Sequence, residues 1–192
     1  MSSGYFSGVF VEIIVFAFRL YIGAVMLRFL MQMTRADFRF NSLARALVRI
    51  TNPILIPLRR IVPGFRGVDW ATVLLMLLLA MLEIGIVLGI GGRTPTAPGL
   101  LVLATAELAT VAVKLLFFAI LLMVIISWLA PDRYHPAIEL IGSVTEPLMR
   151  PARQLVPPLG GLDLSPILVL LLLYLTERLL VVPLQSYGFG LL

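Results

Sequence analysis

The chain has 192 residues, of which 60% are hydrophobic and only 13% charged, and its mean hydropathy is +1.06. Soluble domains carry roughly a quarter charged residues, so a water-soluble fold of this length is excluded and most of the surface must meet lipid. The absence of cysteine excludes disulfides, thiolate catalysis and Cys-ligated zinc or iron–sulfur centres, and the single histidine, His135, excludes a multi-histidine metal site.

A bilayer core requires roughly 20 mostly apolar residues per spanning helix. The first such stretch is 9–33. Residues 1–8 carry no basic residue, and the run that follows holds Glu12 and Arg19 without a small-residue cleavage pattern, so it reads as a retained helix and not as a cleavable leader. Arg28, near its end, reads as a snorkelling side chain.

The next segment is a linker rich in arginine: Arg35, Arg39, Arg45, Arg49, Arg59, Arg60 and Arg66. Residues 41–51 have helical character, with Leu43, Leu47 and Ile50 on one side and Asn41 or Ser42 as the cap. Such a segment would lie in the interface, with Arg45, Arg49 and Arg60 as candidate contacts to anionic lipid headgroups; a packed connector is the plainer alternative. Pro53, Pro57 and Pro63 then frame Arg59, and three prolines in eleven residues predict a stiff, non-helical segment that is either re-entrant or interfacial. Asp69 precedes the second span, 70–90, and is expected to cap it or to pair with Arg59.

A Gly/Pro-rich stretch, 91–99, marks the boundary between two halves, 1–94 and 95–192. The third span is 103–129. A second linker carries Arg133, Arg150 and Arg153, framed by Pro147, Pro151 and Pro157, and ends at Asp163 before the fourth span, 166–184, whose Pro166 suits a first helical turn.

The halves are repeats. TNPILIPLRRIVPGFRGVD at 51–69 aligns without a gap with TEPLMRPARQLVPPLGGLD at 145–163, an offset of 94, with Thr51/Thr145, Pro53/Pro147, Pro57/Pro151, Arg59/Arg153, Pro63/Pro157 and Asp69/Asp163 identical. The fold expected is all-α: a polytopic membrane protein with four transmembrane helices in two tandem helix–linker–helix repeats. Two spans per repeat give both repeats one orientation. The net charge of +5 gathers in the linkers, with only Arg93 between the halves, so both linkers are expected in the cytoplasm and both termini outside, with no direct nucleic-acid partner.

The spans also carry charge. Glu12 and Arg19 stand seven apart in the first, Glu107 and Lys114 seven apart in the third, and Glu83 and Glu177 occupy equivalent places in the second and fourth, with Arg178 beside the latter. Ionisable groups at membrane depth cost at least a few kcal/mol each, so they find partners or water. Interhelical pairs such as Arg19 with Glu83, or Lys114 with Glu177, are one reading. A hydrated path for ions or protons is the other. Glu12, Glu83, Glu107 and Glu177 are expected toward the outer helix ends, where snorkelling is easy. No nucleotide loop, nucleophile elbow or HExxH motif is present, Ser127 and Ser165 have no nearby histidine, and His135 reads as a surface group, so neither catalysis, metal nor cofactor is expected.

The second repeat, with Ser127-Trp128-Leu129, His135-Pro136 and TEPLMRPARQLVPPLGGLDLSPI, resembles the YggT (YlmG) family, and Arg28-Phe29 with TNPILIPLRRIVP carries the same resemblance in the first. The first repeat departs at 67–72, where GVDWAT replaces the family's Gly-x-Asp-x-Ser-Pro, leaving that Ser-Pro pair to Ser165 and Pro166. The family has been linked to osmotic stress and potassium homeostasis, to division and nucleoid organisation, and to thylakoid biogenesis and haem attachment. The resemblance therefore implies an inner-membrane, non-catalytic scaffold or accessory factor in osmotic and envelope homeostasis. Its partners would be membrane lipids and other membrane proteins or further copies of the chain. An ion channel or transporter component is the first alternative, and a membrane-protein or cofactor assembly or cell-division factor the second.

Overall fold

The structure, a computed structural model, describes residues 2–34, 41–129, 135–156 and 163–192, with side chains from residue 8 onward. Arg35, Arg39, Arg133 and Pro157 lie outside the described residues. Among the described residues seven α-helices follow in order: α1 Ser2–Met33, α2 Ser42–Ile61, α3 Trp70–Ile90, α4 Ala97–Leu129, α5 Pro136–Leu155, α6 Ser165–Thr176 and α7 Val182–Gly190. A π-helical turn, Glu177–Val181, joins the last two, so α6 and α7 form one rod, Ser165–Gly190.

Among the described residues four rods are long and apolar enough to cross a membrane: Gly8–Met33, Trp70–Ile90, Ala97–Leu129 and Ser165–Gly190. Hydrocarbon offers the backbone no partners, so a helix, which bonds itself, is the local solution for such runs. Their outward surface is apolar, with Phe16, Leu20, Phe118 and Ile167 all more than 60% exposed. This is a multi-pass membrane protein. The second rod, Trp70–Ile90, has the expected limits; the other three begin or end beyond theirs, and α4 starts at Ala97, inside the stretch expected to be loop. α3, at 21 residues, is about 30 Å long and matches the hydrocarbon thickness. Trp70 opens α3 and Trp128 closes α4, so both exposed tryptophans stand at the end of the bundle that carries the linkers.

α4 is the centre of the bundle and packs against α1, α3, α5, α6 and α7. Each repeat has its own core. Val25, Met26, Leu55, Leu75 and Met76 cluster in the first, and Val113, Ile120, Met149, Ala152, Val169 and Leu173 in the second. Leu55 with Met149 and Leu75 with Val169 are repeat-equivalent pairs. Two further clusters join the halves. Ile22, Ala80 and Ala104 let α1, α3 and α4 approach closely, as small residues do inside membranes. Met31, Ala44, Leu140 and Val144 tie α1 and the two linker helices together.

The linkers differ from expectation. Pro53 and Pro57 lie inside the continuous helix α2, and Pro147 and Pro151 inside α5. A proline costs a helix one backbone bond and crowds the carbonyl four residues back. Prolines four apart share one face, and all four of these are exposed, so the freed carbonyls open outward and the buried face stays intact. Pro63 follows the C-cap Val62, where the helix has already ended.

Asn41 caps α2 by accepting from the amides of Leu43 and Ala44, and its repeat-equivalent His135 caps α5 by accepting from the amide of Ala137. The Asn41 side chain also donates to the carbonyl of Pro136 at 2.6 Å, which binds the two linker-helix starts together. Both helices are amphipathic. α2 turns Ala44, Thr51 and Leu55 inward and Leu43, Ile50, Ile54 and Ile61 outward.

Candidate functional site

Three membrane-spanning helices bring one base and two acids together. Arg19 Nε of α1 lies 2.8 Å from Glu107 Oε1 of α4 and 3.4 Å from Glu83 Oε1 of α3. Glu83 and Glu107 are 3% and 8% exposed, whereas the Arg19 side chain remains 53% exposed. Glu83 sits seven residues before the end of α3, about 10 Å inside the loop end of the bundle. Both carboxylates are thus buried between helices, contrary to the expectation that they snorkel. They face the inter-helix seam because α4 occupies the centre of the bundle.

A second pair lies deeper. Lys114 Nζ of α4 reaches Glu177 Oε1 of the fourth rod at 4.0 Å, a loose contact with both groups partly exposed. The repeats therefore place a base of their first helix near an acid of their second, Arg19 with Glu83 and Lys114 with Glu177. Glu107 breaks this symmetry by joining Arg19 of the other half. Glu12, which holds the equivalent place in α1, is exposed and makes no ion pair with any described residue. Arg178 also points outward, its guanidinium 5.5 Å from the centre of the Tyr174 ring.

Two cavities, of about 260 and 240 Å³, adjoin this network and share Arg19 and Glu107 as walls. Gln185 of α7 lines the first and donates to the Thr110 hydroxyl at 3.1 Å. The π turn sets that register: the Val182 amide bonds Glu177 five residues back, just before Pro183. Neither Thr110 nor Gln185 carries a charge that marks it in the sequence, although an amide inside an apolar run is a signal of the same kind.

The linkers hold a repeated polar clasp. In the first repeat Arg59 Nε donates to Asp69 Oδ2 at 3.0 Å, and Thr72 donates its hydroxyl to the same oxygen at 2.6 Å and its amide to Oδ1. In the second, Arg153 Nε donates to Asp163 Oδ2 at 3.2 Å and the Ser165 hydroxyl to Oδ1 at 2.6 Å, with Arg153 also meeting Glu146 at 3.1 Å. Thr72 thus does for the first repeat what Ser165 does for the second. A tight turn at 65–68, with Arg66 and Gly67 both at positive φ, delivers Asp69 to Arg59. Burial opposes the charge on Asp69, but the bonds from Arg59 and Thr72 outweigh it and hold its carboxyl below the usual carboxylate range. Burial likewise opposes the charge on Asp163, and the bonds from Ser165 and Arg153 lower it on balance.

Arg28 does not snorkel. It is 4% exposed and donates through Nη1 to the Thr51 hydroxyl and to Asn52 Oδ1 at 2.9 Å, pinning α1 to α2. At the offset of 95 that matches Arg19 with Lys114, the second repeat has Met123 in its place. Arg45, Arg49, Arg60 and Arg150 are exposed on the linker helices. Among the described residues no cluster of three His, Asp or Glu side chains is placed to hold a metal.

A family model described as CCB3/YggT matches residues 7–90 and again 102–184, the two halves defined by the fold. The chain belongs to the CCB3/YggT family. An uncharacterised protein of Pseudomonas aeruginosa is 42% identical over 167 residues, covering 84% of this chain and 83% of its own length. The YggT protein of Escherichia coli K12, also uncharacterised, is 34% identical over 171 residues, or 88% of this chain and 87% of that one. A protein of Vibrio alginolyticus is 37% identical over 150 residues, 77% and 80% of the two chains. No solved structure matches the chain. In CCB3/YggT terms, each matched repeat ends within a membrane-spanning rod and contains one proline-bearing linker helix with its Arg–Asp clasp.

Proposed function

We propose that this CCB3/YggT chain is a non-catalytic scaffold or accessory factor of the bacterial inner membrane, acting in osmotic and envelope homeostasis through lipids and membrane-protein partners. The observation that carries this reading is the pair of amphipathic linker helices, α2 and α5, joined through Asn41 and presenting Arg45, Arg49, Arg60 and Arg150 outward. Such a platform suits anionic headgroups or an acidic partner. The excess of arginine at this end, against Arg93 at the other, supports a cytoplasmic platform with both termini outside. The intramembrane charges favour the same reading, because Arg19 bridges acids on two helices and Lys114 faces Glu177. The osmotic role rests on the family resemblance alone.

An ion or proton conductor is the second reading, favoured by the two cavities that share Arg19 and Glu107. Potassium and proton flux through the protein in liposomes, with and without an osmotic gradient, separates the two. The expected result is no flux for wild type. Flux that disappears in a correctly folded Glu83→Gln/Glu177→Gln variant would replace the scaffold reading with the conductor.

A further inference from the structure

The half-exposed charges of the membrane-spanning helices gather along one seam. α1 and the fourth rod both pack on α4, but among the described residues their backbones do not approach one another, so α4 is open between them. Lys114 lies on that open face of α4, with Phe118, Leu122 and Ile125 at the following turns, and all four side chains are exposed. Arg19 and Gly23 of α1 form the other wall of the cavity at Lys114. Glu12 continues their stripe along α1 almost two turns further out, with exposed Phe16 between it and Arg19.

This surface is self-complementary. Glu12 is the repeat-equivalent of Glu107, and Lys114 that of Arg19, at an offset of 95. Across the repeats Arg19 takes Glu107 at 2.8 Å. The reciprocal pair is not made within the chain: Lys114 has only the loose 4.0 Å contact with Glu177, and Glu12 pairs with no described residue. One acid and one base are thus left on a lipid-facing surface, where hydrocarbon solvates neither. Acid and base stand about 10 Å apart along the axis in α1 and α4 alike, the separation that Arg19 already spans to reach Glu107. Copies inserted in one orientation and related by a twofold axis along the membrane normal hold each residue at the same depth. A twofold interface requires the acid and the base on the same patch, which is where Glu12 and Lys114 lie.

We propose that the chain forms a twofold-symmetric dimer through this seam, with α1 of each copy against α4 of the other and Glu12 of each paired with Lys114 of the other. The exposed Phe16, Leu20 and Phe118 supply the apolar contact around these pairs. The interface does not depend on the scaffold reading. Fluorescence energy transfer between end-labelled full-length chains, diluted in liposomes over a range of protein-to-lipid ratios, tests it. Wild type is expected to dimerise reversibly. Glu12→Lys alone, or Lys114→Glu alone, puts like charges at both contacts and should weaken self-association about tenfold or more. A mixture of the two variants restores opposite charges at both contacts and should associate as wild type does, a recovery that a folding defect in either chain could not give. If Lys114→Glu does not fold, Glu12→Lys carries the test, because its association with wild type should fall between that of wild type with itself and its own. Wild type that stays monomeric with lipid in the seam, Glu12→Lys that self-associates as wild type does, or folded variants that stay apart when mixed would each overturn the proposal.

Discussion

Arg19 and Glu107, on helices from different repeats, meet at 2.8 Å inside the membrane, and the same guanidinium nitrogen also reaches Glu83. One base therefore holds α1, α3 and α4 together, and its removal would strand two buried acids. Arg19→Met is expected to destabilise the protein by about 3 kcal/mol, the range for breaking a buried pair. Thermal unfolding in detergent reads this out. Adding Glu83→Gln and Glu107→Gln to the same variant should recover most of the loss, because no uncompensated charge then remains.

The clasps predict an acid limit to stability. Asp69 and Asp163 have carboxyls held below their ordinary value of 3.8 in the folded protein. Their contribution is therefore complete above that value and fades as pH falls through the lower folded value. The melting temperature should drop on acidification in this window. Asp69→Asn should flatten that dependence and cost about 1 kcal/mol at neutral pH, as expected for a partly exposed pair. Asp163→Asn should do less, since Asp163 is more exposed than Asp69.

Arg28 makes one half of the molecule tighter than the other. Arg28→Met copies the second repeat, which has Met123 at that place, and removes the bonds to Thr51 and Asn52. Thr51 keeps its bond to the Leu47 carbonyl at 2.8 Å. The expected cost is about 2 kcal/mol, the scale of hydrogen bonds from a charged donor. Hydrogen exchange should rise across α2 and stay unchanged in the middle of α5.

The linker prolines are predicted to be dispensable for folding. Pro53 and Pro57 are exposed on a helix that is continuous through them. Pro53→Ala or Pro57→Ala restores a backbone bond on the outer face and should stabilise the protein by about 1 kcal/mol or more. A loss of stability in unfolding assays of either variant would contradict the helical path of α2 described above.

Much of this architecture was legible in the sequence. Four apolar runs each have only one way to satisfy their backbone in lipid, and the offset of 94 between identical prolines, arginines and aspartates defined the repeat. The Arg59–Asp69 and Arg153–Asp163 contacts were also readable, because both partners lie within one linker. The helical path through the prolines was not legible. A proline count cannot reveal that every gap falls on one exposed face, which depends on what covers the opposite face.

The sequence by itself determined the number of spans, their repeat and the family, since these follow from hydropathy, length and local motif. The tertiary structure alone decided which charges turn inward. The spanning helices are apolar on every side, so no polar face announces its own direction, and rotation about each axis is set by packing around α4. That rotation buries Glu83 and Glu107 against Arg19, leaves Glu12 and Arg178 on the outside, and carries Arg28 into α2.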